Sequence, residues 1–555
     1  MGCCPGTIFS IPKIRFVALW RLNGMSLGRA PRHEDLHRST RAACEARLPE
    51  PSIFRLLARE SHRLFPDEAF ADLFSDIGRC SVPPRIVAVA MVLQRVHGLS
   101  DREAADAFAF DLRWKYAAGS LDFDHPGFVH TVLVDMRERL RRSDRPDRIF
   151  EVVLAVAKEA GLVGRKRVLD STAPSCLPRS RGRLEGAVAT QDTVTLIRGA
   201  IRGLLREADD ELEAQLRSVL KRDDEYRSAG KPVCDWDDKT AREALVDELA
   251  RDGYATLLAL DGHRLVGPLR QAAELLATVL GQDLEQRDDG VFRIARRVAK
   301  DRVISTVDPD ARHGHKTAAR GFDGYKGHIA VDPDSEIITA TEVTAGNVAD
   351  GSVGARLLTE VLDDADAQAA VNVEVYGDSS YGTAELVEHI EDAGGEANVK
   401  VQAPSAAEGM FGKDAFRVDL ETDTVTCPAG RVVQIARSKD GGGLGSFAAN
   451  CADCPLRGKC TKSIEGRSIR VHPHEATLQR SRERQRDPAW KARYRATRPK
   501  VERKFGHLMR HRHGGRRARM RGCARVGHDF ALLAAAVNLK RLAVLAVRVA
   551  LRIAC

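Results

Sequence analysis

The sequence predicts an α/β fold: a mixed sheet covered by helices, preceded by an all-α segment and interrupted by a helical insertion and a small cysteine-rich insertion. Three observations carry this. Short β-branched runs, two of them ending in an aspartate, are followed by helical stretches. Between those runs lies a hairpin signal, so part of the pairing is antiparallel. Two long stretches carry leucine periodicity or cysteine spacing without that alternation.

In chain order, residues 1–50 mix Gly, Pro and charges and are assigned no fold. Met1 to Trp20 lacks the apolar run and cleavage site of a signal peptide, and a start at Met25 is an open alternative. Residues 51–160 read as a helical DNA-binding or assembly domain, with helical patterning from Ile53 to Leu140. Val87, Val89, Met91, Val92, Leu93 and Val96 mark a buried helix that Gly98 breaks. Ser100 and Glu103 form a capping box for a helix from Asp101 to Tyr116. This is the outline of a helix-turn-helix, and equally of two packed core helices. Trp114 and Tyr116 on that helix suit stacking on DNA or, more commonly, a core.

Arg167–Thr172 reads as a short strand bearing Asp170. With 161–180 it opens a core that resumes at 296–404. The intervening 181–295 is a helical insertion, marked by Val194, Ile197, Ile201, Leu204 and Leu205, then Leu212, Leu216 and Leu220, then Leu265, Leu269, Leu276 and Leu280. A strand is expected at Arg302–Val307, then a hairpin of His328–Val331 and Ile337–Thr341 across Asp332-Pro333-Asp334-Ser335. A helix over Asp350–Leu362 and a strand over Val371–Tyr376 lead into Gly377-Asp378, and a helix (Thr383–Glu391) and strand (Ala397–Val401) follow. Residues 405–475 form the cysteine-rich insertion, and 476–545 a basic helical part closed by an apolar packing helix, Phe530–Leu545.

The composition, 43% apolar and 30% charged, is that of a globular chain with room for roughly two to four domains. No run of 18 apolar residues appears, so no membrane span is expected, and the few clustered cysteines suit a reducing cytoplasm. Net charge is +9, but Arg480 to Arg525 holds 18 Lys or Arg against 3 acids, an excess of 18 − 3 = 15. That density suits phosphate binding or a solvated basic surface.

Asp170 and Asp378 each follow an apolar strand, where α/β sheets place ligand groups. Glu502 lies in the first turn of a helix opened by Pro499. Three such acids suit two Mg²⁺ ions, which take hard oxygen ligands and can serve both ends of an in-line phosphoryl displacement.

Asp170-Ser171-Thr172 resembles the first-aspartate motif of the DDE transposases of bacterial insertion sequences, and Tyr376-Gly377-Asp378-Ser379-Ser380-Tyr381-Gly382 their second. Arg498-Pro499-Lys500-Val501-Glu502-Arg503-Lys504-Phe505 resembles the glutamate helix. Thr344-Ala345-Gly346-Asn347-Val348-Ala349-Asp350 and Gly324-Tyr325-Lys326-Gly327-His328 are similar to two segments these enzymes carry between the first and second aspartates. The resemblance covers about residues 55–545, with its motifs in order. It implies a ribonuclease-H-like core, catalysis by Asp170, Asp378 and Glu502 with Mg²⁺, and cleavage and strand transfer of DNA at terminal inverted repeats into target DNA. The reaction joins two ends, which implies a homodimer. Phosphate contacts are expected from Arg498, Tyr494, Arg503 and Lys504. Tyr494 sits one residue early for the family spacing, with Arg495 in its slot, and Met509 replaces a lysine beside Arg510. Competing readings are a structure-specific nuclease on the same core and a catalytically decayed DNA-binding relic. Lys316 and His328 are candidates to approach the site, or plain strand residues.

Cys427, Cys451, Cys454 and Cys460 form C-x23-C-x2-C-x5-C. A tetrahedral structural Zn²⁺ takes four such thiolates, and the related transposases carry a similar cluster. Four reduced thiols in a hairpin insertion is the alternative, and His472 or His474 could replace a ligand. Cys3, Cys4, Cys44, Cys80, Cys176, Cys234, Cys523 and Cys555 show no pairing logic.

Overall fold

The computed structural model describes residues 38–75, 77–173, 187–222, 226–228, 231–317, 320–362 and 373–553. Most of the irregular N-terminus, Cys3, Cys4, Cys176 and Cys555 lie outside them, as do residues 181–186 of the helical insertion and 371–372 of an expected strand.

The N-terminal part is all-α: α1 (Arg38–Arg47), α2 (Ile53–Leu64), α3 (Pro84–His97), α4 (Asp101–Phe110), α5 (Leu112–Ala117), α6 (Thr131–Arg142) and α7 (Arg148–Glu159). α3 is buried on all sides except at its last residue, as its unbroken apolar run demands, and Gly98 ends it in the left-handed conformation at φ 67°. The Ser100–Glu103 capping box is formed. The expected Asp101–Tyr116 helix is split, because Asp111 turns its side chain onto the Arg113 N–H and starts α5 as a new helix. Trp114 and Tyr116 are each 1% exposed and belong to the core. α4 carries Asp101, Glu103 and Asp106 against Arg102. That acidic balance does not suit a helix lying in a DNA groove.

β1 (Lys166–Thr172) follows, then the helical insertion of α8 (Ala187–Glu207), α9 (Asp210–Ser218), α10 (Lys239–Leu258) and α11 (Gly267–Asp283), tied off by a small hairpin of β2 (Leu284–Gln286) and β3 (Phe292–Ile294). Its leucines form a core of their own, including Ile197, Leu204, Leu249 and Leu276. The expected strand at Arg302–Val307 does not form. The Val303 N–H and C=O are bonded by the Gln282 side chain, and Arg302 pairs with Asp283 through both nitrogens, so the segment is bonded to α11 and not to a strand.

The main sheet is built from β1 with β4 (Arg312–Thr317), β5 (Arg320–Val331), β6 (Ile338–Ala345), β7 (Glu374–Gly377) and β8 (Glu396–Val399), with α12 (Gly354–Leu362) and α13 (Ala384–Asp392) in the crossovers. β1 lies at its centre, antiparallel to β5 and parallel to β7; β6 and β4 pair with β5, and β8 runs parallel to β7. The predicted hairpin is present: Asp332 Oδ1 accepts the Asp334 and Ser335 N–H groups and so closes the turn.

The cysteine-rich insertion is more than a hairpin. β9 (Arg417–Asp419), β10 (Thr424–Thr426), β11 (Val432–Arg437), β12 (Gly443–Ser446) and β13 (Ser468–Val471) make an antiparallel five-stranded sheet, with the short α14 (Arg457–Cys460) at one end. The chain then runs through α15 (Glu475–Arg484), α16 (Pro488–Thr497), α17 (Pro499–Leu508) and the long α18 (Cys523–Ile553). Apolar from Phe530 to Val537, α18 packs on α3 and α7 on one side and on β6 on the other. Asn538, fully buried on it, bonds both the N–H and the C=O of Ile338 in β6. The N-terminal helices and one face of the sheet therefore share one apolar core.

Candidate active site

The parallel register of β1 and β7 sets Val168 against Tyr376, so two residues further on Asp170 and Asp378 leave the sheet side by side. Asp378 Oδ1 accepts the Ser380 N–H at 3.0 Å, which turns the chain back. Gly382 completes that turn where only glycine fits, since a Cβ there would lie 2.1 Å from the Lys400 carbonyl oxygen. Asp170 Oδ1 accepts the Ser171 N–H at 2.8 Å.

Arg498 joins these acids to the third. It sits between α16 and α17 with helical angles (φ −56°, ψ −40°). Pro499 has no N–H to continue the helix, so the chain bends there without stopping. The guanidinium is 8% exposed and lies 3.1 Å from Asp170 Oδ1, 3.6 Å from Asp378 Oδ2 and 3.7 Å from Glu502 Oε1. Its Nε and Nη1 are buried without a hydrogen-bond partner. Burial pushes the Asp170 carboxyl up to about 6, with Asp378 adding to the rise and Arg498 opposing it. Burial works to lower the Arg498 pKa, but Asp170, Asp378, Tyr494 and Glu502 together outweigh it and raise it.

The three acids thus converge on one buried cation. Among the described residues no three acids, histidines or cysteines are drawn together as a finished metal set. The donor chemistry nonetheless suits a hard divalent ion: carboxylate oxygens only, sharing one position that calls for positive charge.

The other expected contacts divide. Tyr494, despite its offset in sequence, reaches the site: its hydroxyl donates to the Gly377 carbonyl at 3.1 Å and its ring stacks on Trp490. Arg503 is exposed at the surface but pairs with Glu336. Lys504 corrects its expectation, because it lies on the apolar face of α17 with Val501, Phe505 and Leu508 and is 1% exposed. Burial pushes its ammonium down to about 8. The side chain of Lys316 lies outside the described residues.

Beneath the two aspartates is a polar network that the motifs held without assigning. The Ser171 hydroxyl donates to Asp350 Oδ2 at 2.6 Å, and the Lys326 ammonium donates to Asp350 Oδ1 and the Val348 carbonyl, both at 2.9 Å. His328, fully buried, bonds the Tyr381 hydroxyl through Nδ1 and the Thr344 hydroxyl through Nε2, each at 2.9 Å. It is a buried network member, neither an approaching catalytic group nor a plain strand residue. Burial drives its pKa down to about 4.

At the far end of the small sheet, Cys427, Cys451, Cys454 and Cys460 line one cavity of about 20 Å³ with Phe411, Phe416 and Phe447. That is room for one water-sized or ion-sized occupant. Its thiols are the soft donors a structural Zn²⁺ takes, although, as above, they do not stand as a finished metal set. His472 and His474 do not line it, and His474 pairs with Glu388 instead. Among the described residues Cys44, Cys80, Cys234 and Cys523 form no disulfide. Among the described residues no helix is long and apolar enough to cross a membrane.

Comparison with known families gives two matches. Residues 426–543 match the family described as a transposase DDE domain, a span that holds all four cysteines of the cluster, Arg498 and Glu502. Residues 43–139 match the family described as Transposase domain (DUF772), which covers the N-terminal helices. No curated protein and no solved structure matches the chain.

Proposed function

We propose that this chain, which carries two segments matching transposase families, is a DDE transposase of the insertion-sequence type that cleaves DNA at the terminal inverted repeats of its element and transfers the freed strand to target DNA. The observation that carries this is the convergence of Asp170, Asp378 and Glu502 on Arg498. A ribonuclease-H-like core is the matching reading of the sheet, supported by an antiparallel run of β6, β5 and β1 followed by parallel β7 and β8.

In this reading Asp170, Asp378 and Glu502 would hold two Mg²⁺ ions, which would supply charge stabilisation at the reacting phosphate. Arg498 contributes its guanidinium to the phosphate, since a planar fork with two unbonded nitrogens matches phosphate oxygens. Tyr494 holds α16 against the strand end that carries Asp378. Arg503 lies beside the DNA path but must first leave Glu336, and Lys504 supports the helix from below. The four thiols would hold a structural Zn²⁺, which would stiffen the small sheet. Two copies act together in the cytoplasm, because two element ends are joined.

The test is purified protein with Mg²⁺ on DNA carrying the inverted repeats that flank its gene, beside Asp378→Ala. Nicking at the repeat boundary that needs the metal and vanishes in the variant supports the reading. Binding without cleavage by the wild type points to a decayed relic, and cleavage that persists in the variant removes Asp378 from the site.

A further inference from the structure

The basic stretch that is uniform in sequence is split in two by the fold. Much of its first half is paired with acids from elsewhere, although exposed Lys491 and Arg495 on α16 form no ion pair among the described residues. Arg480 and Arg484 pair with Glu391 on α13, Arg493 with Glu396, Lys500 with Asp334 and Arg503 with Glu336. In its second half the acids that arrive from elsewhere bond the backbone: Asp308 and Asp310 accept the Gly522 and Cys523 N–H groups. Lys504 to His528 contains no Asp or Glu. Arg510, Arg512, Arg517, Arg521 and Arg525 are all exposed, and among the described residues they form no ion pair. On neighbouring α18, burial pushes the Lys540 ammonium down to about 8, and Arg512 and Arg510 add to the fall.

The loop that carries these cations is braced on the turn between α3 and α4. The His513 Nδ1 donates to the Val96 carbonyl at 2.6 Å, and Arg519 donates to the Leu99 carbonyl at 2.7 Å. Gly98 lies so close under Arg512 that a Cβ would stand 2.4 Å from its carbonyl oxygen. A side chain there would push the loop off α3. Like charges without counter-charges repel in the free protein, and a polyanion relieves that repulsion. The loop begins at the C-terminal end of the same helix that carries Glu502. From Glu502 to Arg510 is about 12 Å at a helical rise of 1.5 Å per residue.

We infer that the Arg510–Arg525 loop, braced on the turn between α3 and α4, is the surface on which this protein holds the phosphate backbone of duplex DNA, and that the ion-paired Arg480, Arg484 and Arg493 of α15 and α16 are not. The inference rests on the transposase reading, which supplies DNA as the polyanion. A duplex carries one charge per about 1.7 Å of axis, so a segment lying along α17 presents several phosphates to the loop.

The experiment measures affinity of the full chain for a 30-base-pair duplex by fluorescence anisotropy over a range of salt concentrations, without divalent metal. Each lost phosphate contact removes about 0.9 from the slope of log affinity against log salt. Changing Arg510, Arg512, Arg517, Arg521 and Arg525 to Gln is expected to remove about 3 to 4 from the slope. Changing Arg480, Arg484 and Arg493 to Gln is expected to remove less than about 1. The five-lysine variant keeps the slope, which separates charge from folding. A slope unchanged in the five-glutamine variant, or lowered more by the α15–α16 changes, overturns the assignment. A wild type that binds but never nicks fails the reading of the carboxylates and leaves this surface standing. A wild type that does not bind the duplex fails both.

Discussion

The two aspartates and the glutamate of the site are held by opposite means. Asp170 stands on a central strand bonded on both sides, and its side chain is 14% exposed. Under it, Ser171, Asp350 and Lys326 bind three separate segments to one another. Glu502 projects from a ten-residue helix, is 65% exposed, and among the described residues forms its ion pair with Arg498 at 3.7 Å. The fold alone positions the aspartates. The glutamate's direction is left to whatever binds beside it.

That contrast is tested most severely by removing one sheet acid. Asp170→Ala is expected to lower the nicking rate at least about a thousandfold, since ion-stabilised charge at the reacting phosphate is worth several kcal/mol; single-turnover cleavage measures it. Next in size is Asp350→Asn, which leaves the Lys326 ammonium half-satisfied in a buried place. A loss of about 3 kcal/mol is expected by denaturant unfolding. If stability does not change, the network is not what holds the aspartates.

His328 gives a comparable effect spread over pH. Its folded pKa of about 4 lies below its ordinary 6.5, so the unfolded chain takes up the proton first as pH falls. Its contribution is complete above pH 6.5 and is lost progressively down to about pH 4, up to about 3 kcal/mol. His513, also pushed down to about 4 by burial, acts in the same direction. His328→Gln should therefore flatten acid unfolding between about pH 6.5 and pH 4, and an identical pH profile would count against the buried network. The smallest effect sharpens the contrast from the other side. Glu502→Gln should change stability by less than about 0.5 kcal/mol while abolishing nicking; a large stability change would mean that Glu502 is fixed after all.

Much of this was legible in the sequence because it is local. A strand that ends in Gly-Asp and turns through Ser-Ser-Tyr-Gly identifies itself, and the capping box at Ser100 and the turn at Asp332 formed as read. What was not legible depends on distant partners. Arg302–Val307 has a strand's composition, but Gln282 and Asp283 occupied its bonding groups first. Asp350 and Lys326 lay in recognised motifs, yet their role needs Ser171, 179 positions from Asp350. Strands of three or four residues in the cysteine-rich insertion are too short to show alternation. Lys504 looked like one more surface cation because its helix face is set by α18 and the sheet, not by its neighbours in sequence.

α18 has a consequence for how such a chain can be taken apart. It is the last helix of the described chain, yet it forms a wall of both the N-terminal helices and the sheet. A fragment ending near residue 160 would lack the partner of α3 and α7, and a fragment starting there would expose the same stripe of α18 from the other side. The N-terminal helices are therefore no independent cassette, and any helices put in their place would have to match α18 as well as the sheet.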